Sequence, residues 1–172
     1  MEEEILEEFD ESISSKDMYM TFKTGEEYFG ISINYVNEII GMQAITKVPE
    51  VENYIRGLIN LRGKIIPVID VRMRFLLEPL PYTDRTCIIV INVKNTIVGL
   101  IVEKIDEVIT VDKSNIIPPP SLSHNADGSN HYVCGLAKAE DGVKLLLDPE
   151  RLIKDDEIAV FTKEQFENTE EE

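Results

Sequence analysis

The strongest constraint on the fold of this 172-residue chain is that two parts of its sequence repeat. Residues 30–40 match residues 99–109 in their glycine, one glutamate and most apolar positions, at a shift of 69 residues. Residues 54–58 match residues 132–136 at a shift of 78, and this match continues as far as Asp70. Because a repeated pattern of buried positions implies a repeated fold, the sequence predicts two similar domains of roughly 65–70 residues.

The repeats set the expected domain boundaries. The nine residues by which the two shifts differ fall within residues 118–131, whose Pro, Ser, Asn and Gly content is typical of a surface loop. We expect an acidic flank at residues 1–15, a first β-barrel at 16–82, a second at 83–153, and an acidic helix or tail at 154–172.

Each repeat has a β pattern. Residues 18–33 alternate between apolar and polar on either side of a turn at 24–26, which predicts a hairpin. Residues 87–93 and 97–102 are almost continuously apolar, which indicates strands buried on both faces. Short strands with regular turns favour an all-β fold of two small barrels with short helices over a parallel βαβ sheet.

Helical structure is expected in only four places. The apolar spacing of residues 33–40 predicts one helical turn, and a short helix is expected after Pro49. Asp148 followed by Pro149 is a typical helix start, with aspartate as the cap and proline at the first position. Residues 155–167 form the predicted C-terminal helix.

The charge is concentrated at the two ends. With 17 Lys and Arg against 33 Asp and Glu, the formal net charge is −16. Residues 1–11 hold seven acids and no base, and residues 155–172 hold eight acids and one base, so residues 12–154 carry a net charge of only −2. The ends are expected to be solvated, and self-repulsion at this net charge favours a monomer.

Several functional classes fit the composition poorly. A shortage of clustered basic residues argues against nucleic acid as a partner. The N-terminus has no basic and apolar signal, and no stretch of 18 apolar residues is present, so we expect no membrane insertion and a cytoplasmic location. Two cysteines, Cys87 and Cys134, are too few for a disulfide framework and suit a reducing compartment.

The sequence offers little for catalysis or metal binding. It contains no nucleophile elbow, phosphate-binding glycine loop or Cys-x-x-Cys motif. The metal-ligating candidates are His124, His131 and Cys134, with Asp127 nearby, but their spacing matches no structural zinc pattern. We therefore predict a protein that is not an enzyme and needs no cofactor, and keep a metal site on these residues as a remote alternative.

Residues 56–70 form the most informative local pattern. Apolar runs flank Arg62-Gly63-Lys64, which predicts a tight hairpin in which Gly63 takes a positive φ and Arg62 lies at the tip. Pro67 cannot donate to a ladder and is expected at an edge or a bulge. The surrounding segment is a basic island in an acidic chain, with one acid, Asp70, among Arg56, Arg62, Lys64, Arg72 and Arg74.

A polar tip can simply reflect exposure to water, but the repeat argues for more. The second copy has Lys138-Ala139-Glu140-Asp141 at the corresponding place, so the shared architecture does not require a basic tip. We therefore interpret Arg62 as a feature of the first repeat that the shared fold does not require and that suits binding to another protein.

Residues 28–31, 36–40 and 48–49, together with the run Ile55-Arg56-Gly57-Leu58-Ile59-Asn60-Leu61-Arg62-Gly63-Lys64-Ile65-Ile66-Pro67-Val68-Ile69-Asp70, resemble the CheW family. The similarity extends from about Met18 to Ile153. It implies two five-stranded barrels side by side, and a non-enzymatic adaptor that couples the cytoplasmic tips of chemoreceptors to the regulatory domain of the histidine kinase CheA at membrane-associated arrays.

The resemblance also implies a set of binding residues. They are Val36, Glu38, Ile39, Arg56, Gly57, Asn60, Arg62 and Gly63. Lateral contacts within receptor arrays would fall on Ile117 and Leu122, where relatives can have a basic and an aromatic residue. A charged pair beside apolar residues suits a reversible interface, because charge sets register and apolar burial supplies affinity.

Two alternatives remain at this stage. Glu38 has a counterpart in Glu107, so its role could instead be structural, for example holding a backbone amide. The protein could also serve a signalling pathway other than chemotaxis that uses the same kind of coupling module.

Overall fold

The structure is a computed structural model, and it describes residues 18–119, 132–140 and 142–153. The described residues form a β-rich fold with two short α-helices and one 3₁₀ turn at Lys113–Asn115, which confirms the predicted all-β class. The strands are β1 Met18–Thr24, β2 Glu27–Ser32, β3 Val36–Gly41, β4 Ile55–Leu61, β5 Lys64–Asp70, β6 Cys87–Val93, β7 Thr96–Val102, β8 Lys104–Thr110, β9 Ile116–Ile117, β10 Val133–Ala139 and β11 Gly142–Leu147. The helices are α1 Val71–Arg74 and α2 Pro149–Leu152.

The strands form two sheets, each of which contains strands from both repeats. One sheet has the order β3-β6-β7-β5-β4, and the other has the order β8-β1-β2-β11-β10-β9. In the first of these sheets, the chain that follows β3 returns to β4 through a bridge between Thr46 and Leu58. In the second, the chain that follows β8 returns to β10 through strand β9. Each sheet therefore curls toward closure. We call them the first barrel and the second barrel.

The opening hairpin of each repeat lies in the barrel of the other repeat. Hairpin β1–β2 belongs to the second barrel, where β2 runs parallel to β11, and hairpin β6–β7 belongs to the first barrel, where β7 runs parallel to β5. The expected boundary between residues 82 and 83 therefore divides the sequence repeat but not the sheets.

The exchanged hairpins pair in equivalent registers. Val68 pairs with Gly99 in the first barrel, and Leu146, its counterpart at the shift of 78, pairs with Gly30 in the second. A Cβ on Gly99 would lie 2.9 Å from Val68 Cγ1 of the parallel strand, and one on Gly30 would lie 3.1 Å from Leu146 Cδ2. The repeated glycine is thus explained by close packing beside the parallel strand.

Three clusters of buried side chains fill the fold. The central core lies between the sheets and includes Phe22, Phe29, Ile89, Leu100 and Leu152. The first-barrel interior is formed by Ile59, Ile66, Val68, Ile88, Val90 and Ile101. The second-barrel interior is smaller, with Val111, Ala137 and Leu146.

Local predictions had mixed outcomes. The hairpin at residues 18–33 and the helix start at Asp148 are confirmed, and the Asp148 side chain accepts a hydrogen bond from the backbone N–H of Glu150. The single helical turn predicted within residues 33–40 occurs as a hydrogen-bonded turn at 33–35 between two strands, and β3 pairs with β6 from Val36 onward. The helix expected after Pro49 is absent from the described residues, which form turns there.

Pro67 lies in β5, a strand with neighbours on both sides. On one side Pro67 pairs with Leu58 of β4. On the other side β7 pairs with β5 only from Val68 onward, so the proline lies just before the second neighbouring strand starts to pair. The predictions for residues 1–15 and 154–172, and for most of the loop at 118–131, lie outside the described residues.

Candidate functional site

The tip of the β4–β5 hairpin is a two-residue turn made by Arg62 and Gly63. Both residues have positive φ, 51° and 87°, which is the pattern of a type I′ turn and matches the right-handed twist of the strands. The Asn60 side chain accepts a hydrogen bond from the Gly63 backbone N–H at 2.9 Å, which holds the turn. Three of the predicted binding residues are thus parts of one rigid tip.

Arg62 at this tip forms an ion pair with Glu38 of β3. The Arg62 Nη2 donates to Glu38 Oε1, although the two residues are 24 positions apart. The Arg62 side chain is 73% exposed and the Glu38 side chain 29% exposed. An exposed pair of this kind adds little to folding stability, so both groups can exchange partners at low cost.

The structural alternative for Glu38 was that its side chain accepts a hydrogen bond from a backbone amide. The observed contact of that side chain is instead with the Arg62 guanidinium. At the counterpart Glu107, the described bonds are made by the backbone, whose N–H and carbonyl both pair with the Thr21 hydroxyl, at 3.0 Å and 2.6 Å. The two glutamates therefore hold equivalent places with different partners.

A depression of about 250 Å³ with both polar and apolar lining residues lies beside the ion pair. Two of its lining residues, Ile66 and Val90, belong to the buried first-barrel interior, so the depression is where that interior reaches the surface. We call it the first-barrel mouth, and it is lined by Asn37, Glu38, Leu61, Arg62, Lys64, Ile66, Val90 and Ile97.

The other predicted residues lie around this site with different roles. Ile39 is 38% exposed on β3, next to Glu38 in sequence, and offers apolar surface. Val36 is partly buried against the central core. Arg56 is also partly buried, with its Nη1 3.6 Å from the Met73 sulfur. Neither Val36 nor Arg56 lines the mouth.

Gly57 is a structural residue. It is buried with φ of 141°, and a Cβ there would lie 2.1 Å from the carbonyl oxygen of Thr46. The glycine therefore permits the close approach of the chain that bridges to β4. Of the two lateral residues, Ile117 is 40% exposed on β9, and Leu122 lies outside the described residues.

Sequence reasoning missed the floor of the mouth. Ile97 lies in a run interpreted as a strand buried on both faces, and Ile66 lies in an apolar run of the predicted hairpin. Only the closure of the barrel brings the two residues together at the mouth. Lys64 and Asn37 on the rim were also not selected. Comparing the two repeats would have indicated these positions, because the residues of the second repeat that correspond to Ile66 and Asn37 are charged.

The residues considered for metal binding have no support from the described part of the chain. His124, Asp127 and His131 lie outside it, and the described residues contain no group of three His, Cys, Asp or Glu side chains that could hold a metal ion. Cys134 lies 3.4 Å from the Leu146 carbonyl oxygen, and burial, together with the charge of Asp148, raises the pKa of its thiol. Neither described helix has the length and apolar character that a bilayer span requires.

Comparison with known proteins decides the family. The sequence model of the CheW-like domain matches residues 18–157. The chain belongs to the CheW family. The chemotaxis protein CheW of Klebsiella aerogenes is 31% identical over 142 residues, which cover 83% of this chain and 84% of that protein. CheW of Bacillus subtilis is 45% identical over 103 residues, covering 60% and 65%.

A solved CheW structure agrees with the fold. The crystal structure of the scaffolding protein TtCheW from Thermoanaerobacter tengcongensis superposes with a TM-score of 0.73 at 34% identity, covering 83% of this chain and 95% of that one. The resemblance and the fold class predicted from sequence are thus confirmed. As a CheW-family member, the protein is a non-enzymatic scaffold of the chemotaxis type.

Proposed function

We propose that this protein is a cytoplasmic adaptor that couples the cytoplasmic domain of chemoreceptors to the regulatory domain of the histidine kinase CheA. The main support is the exposed Arg62–Glu38 pair at the rim of the first-barrel mouth. Membership of the CheW family supports the same assignment. The adaptor is monomeric in isolation and is recruited to receptor arrays at the membrane by its partners.

The geometry suits reversible docking. The mouth offers two half-buried apolar side chains, Leu61 and Ile97, whose contact with a partner supplies affinity. The charged rim fixes the register of that partner. Because the Arg62–Glu38 pair is exposed, a carboxylate or a guanidinium from the partner can replace either member without leaving a buried charge unpaired. Ile39 follows Glu38 on β3 and so presents separate exposed apolar surface on the other face of that strand. Ile117 supplies exposed apolar surface for lateral contacts in the array.

Binding measurements with both partners test the proposal. Titration calorimetry of the full chain against a receptor cytoplasmic fragment, and separately against the CheA regulatory domain, is expected to give saturable binding. Arg62→Glu should weaken at least one complex tenfold or more, because it places a second acid beside Glu38, while the melting temperature changes by less than about 2 °C.

The matched control is Lys138→Glu, an exposed reversal on β10 with the same change in net charge. It should leave both affinities within twofold of the original. Equal weakening by the two variants would mean that overall charge, and not the Arg62 site, determines binding. Absence of binding to either partner would refute the proposed function.

A further inference from the structure

The first-barrel mouth has a counterpart in the second barrel whose lining residues differ in chemistry. The shifts of 69 and 78, which the strand registers follow, relate the two sets residue by residue. Apolar residues on the floor of the mouth and one rim amide are replaced by polar or charged residues. The replacements are Ile66 by Lys144, Val90 by Thr21, Ile97 by Tyr28, and Asn37 by Asp106.

These four residues contact one another in the second barrel. The Lys144 side chain is only 3% exposed, and its Nζ lies 3.2 Å from Asp106 Oδ2. The same ammonium lies 4.1 Å from the centroid of the Tyr28 ring. The Thr21 hydroxyl is 3.4 Å from Asp106 Oδ2. The ammonium therefore has a carboxylate and an aromatic face as partners, which allows a lysine to be buried there.

The rims differ as well. The counterparts of Glu38 and Arg62 are Glu107 and Glu140, so a pair of opposite charges in the first barrel corresponds to two acids in the second. The first rim carries Arg62 and Lys64 against Glu38, which suits a partner segment that presents an apolar side chain beside a carboxylate. The same segment would meet repulsion at the second rim.

We propose that Lys144, held by Asp106 and Tyr28, closes the second barrel, so that only the first-barrel mouth admits an apolar side chain from a docking protein. Lys144 places a longer side chain at the position of Ile66, and its ammonium reaches Asp106 and the Tyr28 ring. Moving it aside would separate the buried Lys144 ammonium from the partly exposed Asp106 carboxylate, which is unfavourable. Among the described residues, the pair is thus a specificity determinant that distinguishes the second barrel from the first.

A small apolar probe tests this without any protein partner. Isobutanol carries the branched alkyl group of a leucine side chain, and it would be titrated into the methyl-labelled full chain while ¹H–¹³C spectra are recorded. We expect saturable shifts for the methyl groups of Ile66, Val90 and Ile97, and no comparable shifts for Ala137 and Leu146 in the second-barrel interior. Equal shifts in both barrels, or none at Ile66 and Ile97, would overturn the inference.

Two double variants distinguish closure of the second barrel by the length of residue 144 from closure by its charge. Lys144→Ile with Asp106→Asn copies the first-barrel residues and should produce shifts at Ala137 and Leu146. Lys144→Met with Asp106→Asn makes the same change in charge but keeps a long unbranched side chain, and should leave those methyl groups unshifted. Shifts of equal size in both variants would show that charge, not the length of residue 144, closes the barrel, and would contradict the proposal.

The identity of the docking protein rests on the proposed function and is tested separately. Ile66→Lys with Asn37→Asp transfers the ion pair to the first barrel. It should weaken binding at least tenfold for whichever partner requires Arg62, the receptor fragment or the CheA regulatory domain. If the unmodified chain binds neither, the proposed function fails while the isobutanol result still decides the inference. If it binds and this variant binds equally well, the inference fails alone.

Discussion

Tyr54 and Tyr132 hold equivalent positions in the two repeats, and both rings contact one guanidinium, that of Arg74, whose Cζ lies 4.9 Å from each ring centroid. Arg74 Nε also donates to the carbonyl oxygen of Leu152 at 3.0 Å. Leu152 is the residue that corresponds to Arg74 in the second repeat. Arg74 therefore joins the two repeats at their common boundary.

Replacing Arg74 with methionine should destabilise the whole fold. The substitution keeps much of the side-chain volume but removes two cation–π contacts and a hydrogen bond, so we expect a loss of about 1–3 kcal/mol in the free energy of unfolding. Urea denaturation followed by circular dichroism measures it. Arg85→Met, at an exposed position in the segment before β6, serves as the control and should change stability by less than about 0.5 kcal/mol. Similar losses in both variants would argue against the bridging role.

Two glycines of the β4–β5 hairpin should respond differently to alanine. Gly57→Ala places a Cβ against the Thr46 carbonyl oxygen at a strained φ, and should cost more than about 3 kcal/mol or prevent folding. Gly63→Ala also has an unfavourable φ, but its Cβ would meet nothing within 4 Å, so about 1 kcal/mol is expected. Thermal unfolding compares the two variants. An equal cost would mean that backbone strain alone, and not the close approach to Thr46, accounts for Gly57.

The Arg62–Glu38 pair should contribute little to stability. A double-mutant cycle with Arg62→Ala and Glu38→Ala is expected to give a coupling energy of about 0.2–1 kcal/mol at low salt, because both groups are accessible to water. The coupling should decrease at 1 M NaCl, where the Debye length is about 3 Å. A coupling above about 2 kcal/mol would indicate a structural pair and would weaken its assignment to docking.

Tyr82 should make stability decline at alkaline pH. Its hydroxyl donates to Asp70 Oδ2 at 3.0 Å, and burial, together with the charge of Asp70, raises the pKa of Tyr82 to about 12. The unfolded chain releases this proton near the ordinary value of 10.0. Between these two values the folded state binds more protons than the unfolded state, so the stabilisation present below pH 10 is lost as pH rises toward 12.

Denaturant unfolding at pH 8 and at several values from 10 to 12 measures this effect. Tyr82→Phe should show a smaller decline over that range than the unmodified chain. The same slope in both proteins would mean that Tyr82 does not cause the alkaline loss. A spectrophotometric titration should show one fewer late-ionising tyrosine in the variant.

Features that depend on neighbouring residues in the chain were predictable. The turn at Arg62-Gly63 and the cap at Asp148 follow from residue types in adjacent positions, and both occur as expected. The site was predicted only in part. The tip and Glu38 were identified, whereas Gly57, placed among the binding residues by the resemblance, is buried and structural.

By itself the amino-acid sequence determined the repeat, the hairpins, the basic tip and the family, because each depends on local pattern or on similarity along the chain. The tertiary structure alone decided that the two opening hairpins exchange barrels, that Arg62 meets Glu38, and that Lys144 pairs with Asp106 while Ile66, at the equivalent position, lies beneath the first-barrel mouth. The two repeats have nearly the same strand pattern, so local preferences do not specify which hairpin joins which barrel. That pairing determines what lies opposite each side chain, and therefore which charges are exposed and which are enclosed.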